Sequence, residues 1–106
     1  MNHDIQTLIH DLRDFALARN WKPFHSPKNL SAALSVEAAE LLEHFQWLTE
    51  AQSRHLDAPK KAEVAAEAAD VFLYLLQLCD QLDIDLMDAA RLKMKANAIK
   101  YPVPGA

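Results

Sequence analysis

Glu37-Ala-Ala-Glu40 and Glu67-Ala-Ala-Asp70 each set two carboxylates three residues apart among alanines and leucines. On an α-helix, residues i and i+3 share one face about a turn apart, so each pair can aim both acids at one point. Neither pair has basic neighbours. From Asn29 through Ser53 there are four acids (Glu37, Glu40, Glu43, Glu50) and no Lys or Arg, and from Ala62 through Ala90 there are seven acids and again no Lys or Arg. Solvated helix faces ordinarily interleave acids with bases at i, i+4. Like charges on apolar helices repel and resist desolvation, and a bound divalent cation is the simplest remedy. Oxygen donors suit Mg²⁺, with Mn²⁺ as the alternative. A lone Glu-x-x-Glu is most often a solvated helix turn; two such pairs without bases weigh the balance toward a metal site. Glu43 and Glu63 lie one turn away, either as outer ligands or as solvent-facing acids.

A di-iron centre is the main rival for carboxylates in a helical bundle, and it asks for histidine three residues after a bridging Glu. The residue three before His44 is Leu41, and no histidine falls between Lys60 and Leu82. Hard cations are therefore favoured over iron. One glycine, Gly105, is present. Walker and dinucleotide-binding loops need several glycines for backbone to approach phosphate, so neither is encoded. Any phosphate chemistry must rest on metal ions and basic side chains. Arg91, Lys93, Lys95 and Lys100 supply a basic cluster beside Asn97 and Tyr101, ordinarily a solvated helix end. Lys93, Asn97 and Lys100 fall at i, i+4 and i+7, so one helical face can present all three. Trp21, Phe24, His25 and Trp47 are candidates for binding a nucleobase: aromatic rings stack on bases, and His25 can hydrogen-bond to base or sugar. Packing is the common role of any one of these rings. Cys79 is expected to be a buried filler.

These side chains need elements to hold them. A chain of 106 residues, 51% hydrophobic and 25% charged, is expected to form one domain over residues 1–106. A net charge of −4 argues against a general nucleic-acid or anionic-membrane binder. The single cysteine fits a reducing cytoplasm, no secretory signal is expected, and the longest apolar run, Val71 to Leu76, is too short to span a bilayer.

Ile5, Leu8, Ile9, Leu12, Phe15 and Ala16 recur at helical spacing and predict a helix from roughly Asp4 to Arg19, capped by Asn2 or His3. Pro23 and Pro27 bracket a loop. Ser26-Pro27 reads as an N-cap and first helical residue of a second helix reaching about Leu48. Thr49 to Pro59 is expected to be a loop, with Pro59 the first residue of a third helix that runs to Leu82. Asp85 caps a fourth, from Leu86 to about Ile99. The expected fold class is all-α, a four-helix bundle. The second and third helices are apolar on nearly every side, more surface than one copy can cover, so a homo-oligomer is expected.

The wider strings carry a resemblance. Glu37-x-x-Glu40 with Glu67-x-x-Asp70 is similar to the signature of the all-α nucleoside triphosphate pyrophosphatases of the MazG-like superfamily. Arg19-Asn-Trp-Lys-Pro-Phe-His-Ser-Pro-Lys-Asn-Leu, Phe45-Gln-Trp, Asp70-Val-Phe-Leu-Tyr-Leu-Leu and the stretch from Lys93 to Tyr101-Pro-Val resemble its dCTP pyrophosphatase branch over nearly the whole chain. The resemblance implies a MazG fold and Mg²⁺-dependent hydrolysis of a nucleoside triphosphate, dCTP or a modified pyrimidine, to the monophosphate and pyrophosphate. It carries the metal ligands over to Glu37, Glu40, Glu67 and Asp70, with Glu40 as a candidate for orienting or deprotonating the attacking water. It maps the base pocket to Trp21, His25, Trp47 and Tyr74, and the phosphate contacts to Lys93, Asn97, Lys100 and Tyr101. It also implies a homodimer or homotetramer. One departure is Ala66, where relatives often carry a further Glu; a non-enzymatic nucleotide-sensing or oligomerisation module is the alternative that this favours.

Overall fold

The computed structural model describes residues 3–105, and every regular element among them is helical. Helix α1 spans His3–Ala18, a 3₁₀ turn covers Lys22–Phe24, and α2 runs Pro27–Glu43; α3 is the short Glu50–Ser53, α4 spans Ala58–Gln81 and α5 spans Leu86–Lys100. Asn2, one of the two expected caps of α1, lies outside the described residues, and His3 is already helical.

Local chemistry sets most of the boundaries. The Ser26 hydroxyl accepts from the Asn29 amide at 3.1 Å ahead of Pro27. Asp57 and Asp85 cap α4 and α5 in the same way, accepting from the amides of Lys60 at 2.8 Å and Asp88 at 3.1 Å. Pro59 consequently stands one place further inside α4 than expected. Thr49 and Gln52 form a reciprocal capping box that nucleates α3, so the expected loop holds a helical turn and the α-helices among the described residues number five.

The second helix is shorter than its apolar pattern suggested. It stops at Glu43, after which the amides of Phe45 and Gln46 both turn back to the Leu42 carbonyl at 2.9 Å. Apolar periodicity continues through Leu48, but the backbone has already closed into tighter turns.

Two helices end without glycine. Asn20 (φ 55°) and Asp83 (φ 54°) take the left-handed position after α1 and α4. Behind them the Trp21 amide donates to the Ala16 carbonyl and the Ile84 amide to the Cys79 carbonyl, both at 2.9 Å. This is Schellman closure with the two residue types that best tolerate positive φ after glycine.

Helix α4, about 36 Å long at 1.5 Å per residue, is the axis of the molecule. Packing is concentrated where α2 lies along it, with α1 more lightly attached. Helix α2 runs antiparallel to α4, Glu37 meeting Glu67 while His44 meets Glu63, and α1 meets α4 through Arg13 and Asp80. The hydrophobic core among the described residues is Leu30 and Leu76, each 1% exposed, with Cys79. Leu92, Met94 and Ile99 of α5 stand exposed, Ile99 at 84%. The radius of gyration is 17.0 Å, against about 13 Å for a compact chain of this length. The accessible surface of 8214 Å² likewise exceeds the roughly 5,900 Å² expected of a globular monomer of this mass. No helix among the described residues is long and apolar enough to cross a membrane.

Candidate active site

The acids of α2 and α4 meet across the best-packed seam of the molecule. One carboxylate oxygen from each of Glu37, Glu67 and Asp70 lies within 4.8 Å of the others. Glu37 and Glu67 are half-buried and Asp70 is exposed, so the cluster opens to solvent on one side. The Oε2 atoms of Glu37 and Glu67 are buried with no hydrogen-bond donor. Two ionised carboxylates cannot donate to each other. Burial, then hydrogen bonds shared with Glu40 and Glu67, then the charges of Glu40 and Asp70, push the Glu37 carboxyl up to about 7.

A hard divalent cation would relieve this crowding of acids. The donor set is all oxygen, two of the acids carry undonated buried oxygens, and the opening leaves room for water or phosphate. The residues present thus fit such an ion. Glu40 stands outside the close triad but near enough to Glu37 to share a proton with it. Glu63 has protein partners instead: Lys60 Nζ at 3.6 Å and His44 Nδ1 at 3.8 Å from its Oε2. Glu43 is exposed.

The aromatic candidates divide. Trp21 packs edge-on against Phe15 at 5.5 Å between ring centroids and stands 5.9 Å from His25. Arg19 covers the other ring of this series, 3.4 Å from the Phe15 centroid. Tyr74 is half-buried one turn beyond Asp70 on α4, on the same face. Trp47, in the turn after α2, is 86% exposed and is not drawn into that group. On α5, Lys93, Lys100 and Tyr101 are exposed and Asn97 half-buried, with Lys100 Nζ 5.3 Å from the Tyr101 ring. Among the described residues no ion pair joins these to the acid triad, and the charges felt by Glu37 are acidic.

One arrangement gave no signal in the sequence. Arg13 of α1 forks onto Asp80 of α4, its Nε 2.8 Å from Oδ2 and its Nη2 on Oδ1. The pair walls a cavity of about 300 Å³ between α1 and α4, which reaches His25 and Lys22 at its mouth.

Comparison with known proteins gives the family of this all-α scaffold. A model of the MazG-like family matches residues 32–106. The chain belongs to the MazG-like family. It is 38% identical over 92 residues to dCTP pyrophosphatase 1 of Rattus norvegicus, covering 85% of this chain and 54% of that protein. To dCTP pyrophosphatase 1 of Homo sapiens it is 37% identical over 91 residues, covering 84% and 54%. The chain thus spans about half the length of the curated relatives it matches. A crystal structure of a pyrophosphatase from Archaeoglobus fulgidus DSM 4304 superposes with a TM-score of 0.90 at 41% identity, covering 97% of this chain and 96% of that one.

Proposed function

We propose that this protein is a Mg²⁺-dependent nucleoside triphosphate pyrophosphohydrolase acting on dCTP or a modified pyrimidine deoxynucleoside triphosphate, a role in cleaning the nucleotide pool. The observation that carries it is the oxygen triad of Glu37, Glu67 and Asp70, with its undonated buried oxygens. The names of the rat and human relatives, and the pyrophosphatase from Archaeoglobus fulgidus, point the same way.

Glu37, Glu67 and Asp70 would hold the cation, which when bound supplies charge neutralisation and electrophilic help for phosphoryl transfer. Glu40, next to Glu37 and outside the triad, accepts a proton from the attacking water on a carboxylate oxygen. The water oxygen bonds to the α-phosphorus in line as the bond from that phosphorus to the α–β bridging oxygen breaks, so the products are monophosphate and pyrophosphate. Lys93 and Lys100 neutralise the departing pyrophosphate, and Asn97 and Tyr101 donate hydrogen bonds to phosphate oxygens. Trp21 stacks on the base, while His25 and Tyr74 meet its polar edges; Trp47, beyond the other end of α2, does not reach the same base within one copy.

A cytoplasmic homodimer or homotetramer belongs to the same proposal. Its support is the roughly 2,300 Å² of surface beyond that of a compact monomer, a quantity in the range that obligate interfaces bury. The test is incubation of purified protein with dCTP and Mg²⁺, then with a panel of canonical and modified deoxynucleoside triphosphates. Equimolar dCMP and pyrophosphate are expected; stepwise release of single phosphates, or tight binding without products, overturns the assignment.

A further inference from the structure

The attachment of α1 to α4 differs from that of α2. Two cavities, of about 300 and 190 Å³, lie along the α1–α4 seam. Ile9, Arg13, Leu76 and Asp80 line both, so the forked ion pair belongs to the wall of each. Both clefts open to solvent, and α1 touches α4 at far fewer points than α2 does, so apolar packing holds α1 weakly here. A bidentate Arg–carboxylate pair fixes distance and orientation together, and here it joins residues 67 positions apart in sequence.

What the pair restrains is connected to the candidate site by backbone. Trp21 is bound to α1, its amide donating to the Ala16 carbonyl at 2.9 Å and its ring resting on Phe15. The His25 end of the same segment is bound to α2 instead. Ser26 caps that helix, and the Asn29 amide group donates to the Phe24 carbonyl at 2.9 Å. The turn between them is itself hydrogen-bonded, the Phe24 amide donating to the Trp21 carbonyl at 2.8 Å and the His25 amide to the Lys22 carbonyl at 3.2 Å, so Trp21 and His25 form one unit strung between α1 and α2. Since α2 is packed firmly on α4, where this unit sits against α4 depends on where α1 sits along it.

We infer that Arg13 and Asp80 are positioning residues whose forked ion pair fixes where the Trp21–His25 unit sits against α4, and so sets how tightly the base of the substrate is gripped. The inference rests on the proposed pyrophosphohydrolase and deepens it. The pair lies about 15 Å along α4 from Asp70, ten residues at 1.5 Å each, so it acts on the aromatic face without touching the acids.

The experiment uses Arg13→Met, which keeps the length of the stem and removes the fork, with Asp80→Asn and the conservative Asp80→Glu. Steady-state kinetics with dCTP and Mg²⁺ are expected to show KM raised about tenfold in the first two variants and kcat held within about twofold. Mn²⁺ titration of each protein should give the wild-type affinity. Asp80→Glu, which has cavity on both sides to accommodate its extra methylene, should return KM to within about twofold of wild type. In a Trp47→Phe background, where Trp21 is the remaining indole, Arg13→Met should increase quenching of Trp21 by acrylamide. Unchanged KM and unchanged Trp21 quenching overturn the inference, as does an equal loss of kcat and Mn²⁺ affinity. So does an Asp80→Glu variant as impaired as Asp80→Asn. If the wild type turns over no nucleoside triphosphate, the failure belongs to the proposed function, and the Trp21 quenching alone decides the role of the ion pair.

Discussion

Glu37 and Glu67 face each other across the α2–α4 seam, each with a buried carboxylate oxygen that no donor reaches. Burial and the surrounding acids push the Glu37 carboxyl up to about 7.

Metal uptake should therefore displace a proton from this acid cluster. At about pH 6, calorimetric titration with Mn²⁺ in buffers of different ionisation enthalpy is expected to report close to one proton released per ion, falling toward zero above about pH 8. The affinity should rise with pH up to about 7 and then level off. A pH-independent affinity would dissociate Glu37 from the site.

The same shift makes the metal-free fold sensitive to base. The folded-state value lies above the ordinary 4.5, so the protonated acid favours the fold: this contribution is complete below about 4.5 and is lost as the pH rises through about 7. Urea denaturation without metal should show stability falling over that window, and added Mg²⁺ should abolish the fall.

Replacing Glu67 by Gln tests activity and electrostatics together. The amide can donate to a carboxylate oxygen of Glu37, so the metal-free protein is expected to gain about 1 kcal/mol. Turnover should fall at least a hundredfold while the helical circular dichroism is retained. A variant of wild-type activity would remove Glu67 from the site.

Asp80 predicts the opposite pH behaviour. Its carboxyl is held below the usual carboxylate range chiefly by the hydrogen bond from Arg13. That contribution is present above the ordinary value of 3.8 and is lost as the pH falls through the lower folded-state value. With Arg13 largely exposed, it is worth about 1 kcal/mol. Arg13→Met should flatten the acid branch of the stability curve below about pH 4 and leave the branch near pH 7 unaltered.

Sparse burial makes the core residues costly to change. Leu76→Ala, at a position 1% exposed and beside both cavities, is expected to lose about 2–4 kcal/mol by urea denaturation.

What the sequence made legible was local. Ser26 and Asp85 cap as their types suggest, and helical periodicity located α1, α4 and α5 within a residue or two. The end of α2 was hidden because Phe45 and Leu48 extend its apolar pattern while no glycine or proline marks the stop. The short α3 depends on one reciprocal pair of side-chain bonds, a weak signal inside a polar stretch. Charge counting singled out Glu37, Glu40, Glu67 and Asp70; oxygens of Glu37, Glu67 and Asp70 lie within 4.8 Å of one another, and Glu40 stands outside that triad. For Asp80, in the same base-free stretch, counting misled: its cation arrives from Arg13, far away along the chain. Relations of that kind are decided by tertiary geometry, which no spacing encodes.

The turn at Asn20 has an evolutionary corollary. A glycine there would relax the backbone, but it would also let the indole that follows wander. The bulkier residue trades a little conformational ease for a fixed exit direction, so the ring inherits its heading from the helix behind it. Natural variation at this position should thus run to residues that tolerate a left-handed bend yet keep it stiff, and, where Trp21 stacks on the base as proposed, substitutions there would alter ligand preference without touching the ligand.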